Sequence, residues 1–275
     1  MQICALPRLL AALPLLLTLW CAHAEDLVIP GSGNPERVLR ELATAFNAQQ
    51  GRHRVSIPSS SGTAGALREV EQGHTSLGRV GRPLKDAERA RGLAYLPLGL
   101  DAVVFVGGVG VSARGIGKTQ AIDIYSGRVT DWRDLGGKPA PIRAIGREST
   151  DTSRQAIARE VKAFGELEFH ESVKLVHLDP QMIELLDRYP TSLGFLNRSA
   201  LGAARTALVP LAFEGIEPSP DNLASGRYPL KLEFGFVHKT GELSDAAQAF
   251  VLFVQSPSGE RILREHGVLP LAAAN

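Results

Sequence analysis

Cysteine is nearly missing from this chain. Cys4 and Cys21 are its only two, and both fall in a leader expected to be removed, so the mature protein has no disulfide, no Cys-ligated metal and no thiol nucleophile. An excess of either charge is missing as well. Once Arg8 leaves with the leader, 29 basic residues face 29 acidic ones, and the field that a nucleic-acid binder presents is not there. Beyond the leader, no apolar stretch approaches the roughly 20 residues that a membrane-spanning helix needs. Catalytic signatures are lacking too. There is no Gly-x-Ser-x-Gly elbow and no His-Glu-x-x-His zinc helix, and Lys239-Thr240-Gly241 has no Ser-x-x-Lys companion. Gly115-Ile116-Gly117-Lys118-Thr119 fails as a phosphate loop, because Ser112 stands where the spacing demands the first glycine. The expectation is a non-catalytic protein with no metal, no cofactor and no nucleic-acid partner.

What the chain does have begins with an export signal. Arg8 is followed by the apolar run 9–19 and by Ala22-His23-Ala24, the pattern of a cleaved secretory peptide over residues 1–24. Cys21 follows Trp20, a bulky residue where a lipidated cysteine requires a small one before it. A free periplasmic protein is therefore expected over a lipid-tethered one, and its mature length suits one large or two medium domains.

Three strand-to-helix junctions carry the chemistry. In the first, Leu27-Val28-Ile29 runs into Pro30-Gly31-Ser32-Gly33-Asn34-Pro35 and a helix with Val38, Leu39, Leu42 and Phe46 on one face. Asn34 reads as its cap and Pro35 as its first turn. In the second, Arg54-Val55-Ser56-Ile57 gives way to Ser59-Ser60-Ser61-Gly62-Thr63 and a helix whose apolar face is Ala66, Leu67 and Val70, stopped by Gly73. In the third, Ile142-Arg143-Ala144-Ile145 delivers Gly146-Arg147-Glu148-Ser149-Thr150-Asp151-Thr152-Ser153 and a helix with Ile157, Val161 and Phe164, closing at Gly165. The first amides of a helix have no intrahelical partner and carry the positive end of its dipole, so a helix entrance rich in hydroxyls suits an oxyanion. Any one such entrance also reads as an ordinary Ser or Thr cap. Arg147 adds a fork suited to oxyanions, and pairing with Glu148 or Asp151 is the competing reading. Arg79 and Arg82, three apart after a short strand, are candidate ligands or plain solubilising residues.

The remainder alternates strands and helices. Strands are expected at 93–98, 101–106, 193–196, 208–211 and 228–237, and helices at 119–126, 180–189, 245–254 and 258–266, which makes the fold α/β. Trp132 reads as a packing anchor.

The ordered series Gly31-Ser32-Gly33, Ser60-Ser61-Gly62, Gly78 to Leu84, Ile124-Tyr125-Ser126-Gly127 through Trp132, Arg147 with Asp151-Thr152-Ser153, and Tyr228-Pro229-Leu230 resembles the periplasmic phosphate-binding proteins of ABC transporters. The resemblance implies a two-lobed periplasmic-binding-protein fold with the ligand in the cleft between lobes and closure about a hinge. Lobe 1 would span 25–100 and 205–275, and lobe 2 would span 101–204. It further implies a small oxyanion ligand, phosphate first, bound by a monomer that delivers it to an inner-membrane ABC permease. Mapped onto this chain, the ligand residues are Ser32, Asn34, Ser60, Ser61, Gly62, Thr63, Arg147, Asp151, Thr152 and Ser153.

Two positions depart from the family's pattern. Gly81 stands where phosphate-binding members carry the aspartate that accepts the proton of hydrogen phosphate, so selection against a fully deprotonated oxyanion is expected to weaken. Asp151 stands where the family opens its third helix with serine. An aspartate there occupies the helix amides with its own carboxylate and repels a dianion. Those departures keep two other readings open: a binding fold with a drifted cleft serving in sensing, adhesion or envelope interactions, and an extracytoplasmic hydrolase.

Overall fold

The computed structural model describes residues 24–49 and 51–271; the expected leader, up to residue 23 and with both cysteines, lies outside them. Strand β1 (Glu25–Val28) pairs in parallel with β2 (His53–Ser56), and helix α1 (Glu36–Gln49) runs between them. Helix α1 buries Val38, Leu39, Leu42, Ala43 and Phe46. Their spacing of three and four makes one apolar stripe, and each large side chain so removed from water contributes on the order of 1.5–3 kcal/mol. Helix α2 (Gly62–Glu71) turns Ala66, Leu67 and Val70 inward, where they meet Val80, Leu84, Leu93 and Val237 in a small core of their own.

The main sheet is built on one long strand. Six of its eight strands, β3 (Gly78–Val80), β4 (Leu93–Gly107), β5 (Arg143–Arg147), β6 (Lys174–Val176), β7 (Ser192–Asn197) and β8 (Lys231–Lys239), lie in the order β3-β8-β4-β7-β5-β6, and two short strands, Val209–Pro210 and Leu269–Pro270, also pair with β4. The sequence suggests two strands, at 93–98 and 101–106, yet β4 runs unbroken for 15 residues. It can do so because it changes partner instead of turning. Residues 93–102 pair antiparallel with β8, and residues 103–107 pair antiparallel with β7. That exchange divides the molecule into two lobes joined by a shared strand. The second lobe is completed by the parallel pairs β5–β7 and β5–β6, with crossover helices.

Each lobe has an aromatic centre. Phe105, Tyr125, Phe164 and Phe195 meet edge to face or tilted in the second, with Phe164 5.2 Å from Tyr125. Phe46, Phe236 and Phe250 do so in the first. Such pairs add to simple burial because ring edges are positive and ring faces negative. The helix expected to run to Gly165 is two pieces, α3 (Thr152–Glu160) and Lys162–Glu166, broken at Val161 with φ −131° and ψ 81°. Gly165 is therefore not a stop. A Cβ there would lie 2.6 Å from the Ala158 Cβ, so the glycine lets the pieces pack closely while Phe164 enters the aromatic centre. Helix α4 (Asp179–Arg188) follows β6, and two Ser-capped helices, α5 (Asp245–Val254) and α6 (Pro257–Glu265), lie near the end of the described chain. Tyr228 precedes β8 rather than joining it, and its buried hydroxyl donates to the Val103 carbonyl at 2.9 Å. Trp132 is buried, with its indole N–H on the Thr191 carbonyl at 2.9 Å, the packing role expected of it.

Candidate functional site

A cleft of about 690 Å³ opens between the lobes. From the first lobe it is lined by Ser32, Gly33, Asn34, Glu36, Ser59, Ser60, Gly62 and Thr63; Arg147, Thr150, Asp151, Thr152 and Asp179 face it from the second. Ser61 stands exposed at the entrance of α2, and Ser153 is buried behind the second wall. All three junctions thus converge on one space, with eight of the ten candidates on its surface.

The first loop is held by backbone. Gly31 has φ 137°, and a Cβ there would collide with the Arg79 carbonyl. Only glycine lets the loop approach β3 this closely, and the approach is fixed by the Ser32 N–H on the Arg79 carbonyl and the Arg79 N–H on the Pro30 carbonyl, both at 2.9 Å. Asn34, expected as a cap, reaches across the cleft instead. Its Nδ2 donates to Ser153 Oγ at 2.9 Å, while its Oδ1 accepts from Ser32 Oγ at 3.2 Å and from the Thr152 hydroxyl. These four side chains form one chain that ties the lobes together.

The second junction is open. Ser60 Oγ donates to the Gly31 carbonyl and accepts from the Gly62 N–H, each at 3.2 Å. Ser61, at the N-cap position, makes no side-chain cap hydrogen bond, so beyond the Gly62 N–H that Ser60 takes, the other first-turn amides of α2 have no side-chain acceptor among the described residues and carry the positive end of the dipole. Thr63 Oγ1 accepts from the Gly81 N–H at 3.2 Å, which leaves its own hydrogen available to a ligand.

The third junction is closed. Asp151 caps α3, with Oδ1 accepting from the Ser153 and Arg154 amides at 3.0 Å. Its other oxygen takes the Arg147 guanidinium at 2.6 Å, and Asp179 takes the same guanidinium at 2.8 Å. Burial works against the charge of Arg147, but Asp179 and Asp151 outweigh it and hold its pKa above the ordinary arginine value. Burial also raises the Asp179 pKa, against the pull of Arg147. One cation here faces two carboxylates. On the opposite wall the ratio is reversed, since Glu36 receives both Arg40 at 2.8 Å and Arg79 at 3.3 Å.

The two other arginines weighed from the sequence are not available to a ligand in this arrangement. Arg79 is wholly buried and donates to the Ser32, Ile29 and Pro58 carbonyls. Arg82 forks onto Glu88 at 2.7 and 2.8 Å, and this hydrogen bonding above all lowers the Glu88 carboxyl to about 2. Glu148 pairs with His177 at 3.1 Å, leaving Asp151 as the carboxylate that meets Arg147. A Cβ at Gly81 would lie 2.7 Å from Ser32 Oγ, 3.1 Å from Asn34 Oδ1 and 3.3 Å from Thr152 Oγ1, so position 81 looks into the middle of the cradle and offers it no acceptor.

Sequence reasoning missed Asp179 and Glu36. Both sit in the first turn of a helix, where an acid is ordinary, and nothing local announces that Asp179 meets an arginine 32 positions earlier.

Comparison with known proteins agrees with this architecture. A family model described as "PBP superfamily domain" matches residues 22–258. The phosphate-binding protein PstS of Borreliella burgdorferi is 23% identical over 253 residues, covering 88% of each chain. PstS of Bacillus subtilis is 21% identical, over 90% of this chain and 81% of its own length. Among solved structures, a Clostridium perfringens protein assigned as a phosphate ABC transporter substrate-binding protein, with bound phosphate, superposes with a TM-score of 0.77 at 21% identity, over 90% of this chain and all of that one. A Vibrio cholerae ABC-type phosphate transport receptor gives 0.66 at 21% identity, over 89% and 99%. At these identities the structural likeness shows the fold.

Proposed function

The chain belongs to the PBP superfamily, and on that footing we propose that it is a non-catalytic extracytoplasmic receptor that captures phosphate or a similar tetrahedral oxyanion and delivers it to a membrane ABC permease. The observation that carries this reading is the open entrance of α2, where N-cap Ser61 makes no side-chain bond and only the Gly62 amide is taken, by Ser60, beside a cleft that Ser32, Ser60 and Thr63 also line. Amides at a helix start and hydroxyls with a hydrogen to give are what an oxyanion with no hydrophobic surface can use. The lobes exchange near residues 101 and 205, and of the ten ligand residues read from the sequence Ser32, Thr63 and Thr152 give the anion its direct hydroxyl contacts, while Asp151 keeps Arg147 from it.

On this reading the polar side chains that bridge the cleft satisfy one another until an anion enters. Ser32, Asn34, Thr152 and Ser153 bond one another, and an entering anion replaces Asn34 Oδ1 as the acceptor for the Ser32 and Thr152 hydroxyls. Those hydroxyls come from opposite lobes, so one bound ion holds both, and binding couples to closure. Titration calorimetry with phosphate, sulfate and molybdate tests the proposal: heat of binding from at least one of the three is expected, and no heat up to millimolar concentration contradicts it.

A second reading has its own observation. Asp151 occupies both the α3 amides and Arg147, as in a cleft that has lost its anion. If the wild type stays silent toward all three anions and Asp151→Ser binds phosphate, the drifted cleft is the better account.

A further inference from the structure

We infer that Arg79 is a positioning residue for the ligand: from inside the first lobe it turns the peptide planes of the two open loops so that their amide hydrogens face the cleft. This rests on the oxyanion reading above and adds to it a residue that touches no ligand.

Arg79 is completely buried, and its guanidinium meets three carbonyls of the two loops beside the cleft and, at 3.3 Å, the Glu36 carboxylate in the first turn of α1. Its Nε donates to the Ser32 carbonyl at 2.8 Å and one terminal nitrogen donates to the Pro58 carbonyl at 2.7 Å; the other terminal nitrogen meets the Ile29 carbonyl. In a trans peptide the C=O of one residue and the N–H of the next point in opposite directions, and the described chain has no cis bond. With the Ser32 and Pro58 carbonyls drawn inward, the N–H groups of Gly33 and Ser59 point outward, and both residues line the cleft. Among the described residues no acceptor meets the Gly33 N–H.

A planar fork can hold several carbonyls at fixed angles; a lysine in its place offers one nitrogen. The group also remains a cation. Burial lowers its pKa to about 10, with Glu36 acting the other way, so it is charged at neutral pH and offsets the Glu36 carboxylate on the cleft wall.

The test combines calorimetry with amide NMR on the wild type, Arg79→Met, Arg79→Lys and Arg40→Met, with inorganic phosphate as the probe. In the wild type the Gly33 and Thr63 amide resonances should both move on adding phosphate. Arg79→Met should weaken binding on the order of a hundredfold and Arg79→Lys on the order of tenfold, and at saturating phosphate the Gly33 resonance should no longer move while Thr63 still does. Arg40→Met takes the other cation from Glu36 and a donor from the Ile57 carbonyl but leaves the Ser32 and Pro58 carbonyls held; it should cost less than Arg79→Met, on the order of threefold, with the Gly33 resonance still moving. Binding of Arg79→Met within twofold of wild type overturns the inference, and so does a wild-type Gly33 amide that ignores phosphate while Thr63 responds. If no wild-type amide responds to phosphate, the functional reading has failed, and hydrogen exchange of ligand-free Gly33 decides this one. Rapid exchange supports an amide aimed at the open cleft, and strong protection overturns it. The same exchange measurement on wild type decides the matter if neither Arg79 variant folds.

Discussion

The two walls of the cleft are opposites in charge and in helix chemistry. On the first-lobe wall two arginines share the Glu36 carboxylate and no carboxylate caps the α2 entrance, where Ser60 takes only the Gly62 amide. On the second-lobe wall two aspartates share Arg147 and the α3 entrance is capped by one of them. A dianion should therefore lodge against the first wall, and the second wall should contribute the Thr152 hydroxyl rather than its arginine or its dipole. Arg147, the candidate arginine ligand on the cleft surface, is already matched by two carboxylates, whereas buried Arg79 acts from behind the first wall.

The largest effect is expected where the walls join. Asp101, at the point where β4 exchanges partners, is buried and accepts from Asn197 Nδ2 at 2.9 Å and the Ser199 amide at 3.3 Å; Asn197 also donates to the Asn34 carbonyl at 2.8 Å. Burial, only partly offset by these donors, raises its pKa to about 6. Because the folded form then holds its proton where the unfolded chain has lost it, this group's contribution falls as pH rises from about 4 to 6 and is flat above, a change of about 3 kcal/mol. Denaturant unfolding across that range should show the slope as a difference between wild type and Asp101→Asn; identical profiles would refute it.

Closing the open wall comes next. Ser61→Asp would give α2 the cap that α3 already has, and calorimetry should find phosphate affinity lowered on the order of fiftyfold. Opening the closed wall is the converse: Asp151→Ser removes the carboxylate from the Ser153 and Arg154 amides and from one side of Arg147, and affinity should rise on the order of tenfold. Unchanged affinity in either variant would mean the walls differ less than their charges suggest. The smallest effect is one of selectivity. Gly81→Asp adds an acceptor in the middle of the cradle, and competition titration should find the preference for phosphate over sulfate increased about fivefold at neutral pH.

Much of this was legible in the sequence, and the limits follow from range. The apolar spacing of Val38, Leu39, Leu42 and Phe46 gave α1 its buried face directly, because helix periodicity is local. The Gly31-Ser32-Gly33 and Ser60-Ser61-Gly62 turns located the cradle for the same reason, and the acidic cap at Asp151 could be read two and three residues from the amides it takes. The partners of Arg147 and Arg79 could not. Asp179, Ser32 and Pro58 are 32, 47 and 21 positions away, and which carbonyl meets a buried guanidinium is settled by packing of the whole lobe. The continuity of β4 was hidden likewise, since its two halves are stabilised by strands far along the chain.

The most direct test of where the anion sits is a crystal structure of the protein grown with phosphate. The account predicts phosphate within hydrogen-bonding distance of the Thr63 hydroxyl and the Gly33 and α2 amides, with Arg147 still held between Asp151 and Asp179. Phosphate bound to Arg147, with Asp151 swung away from it, would contradict the account.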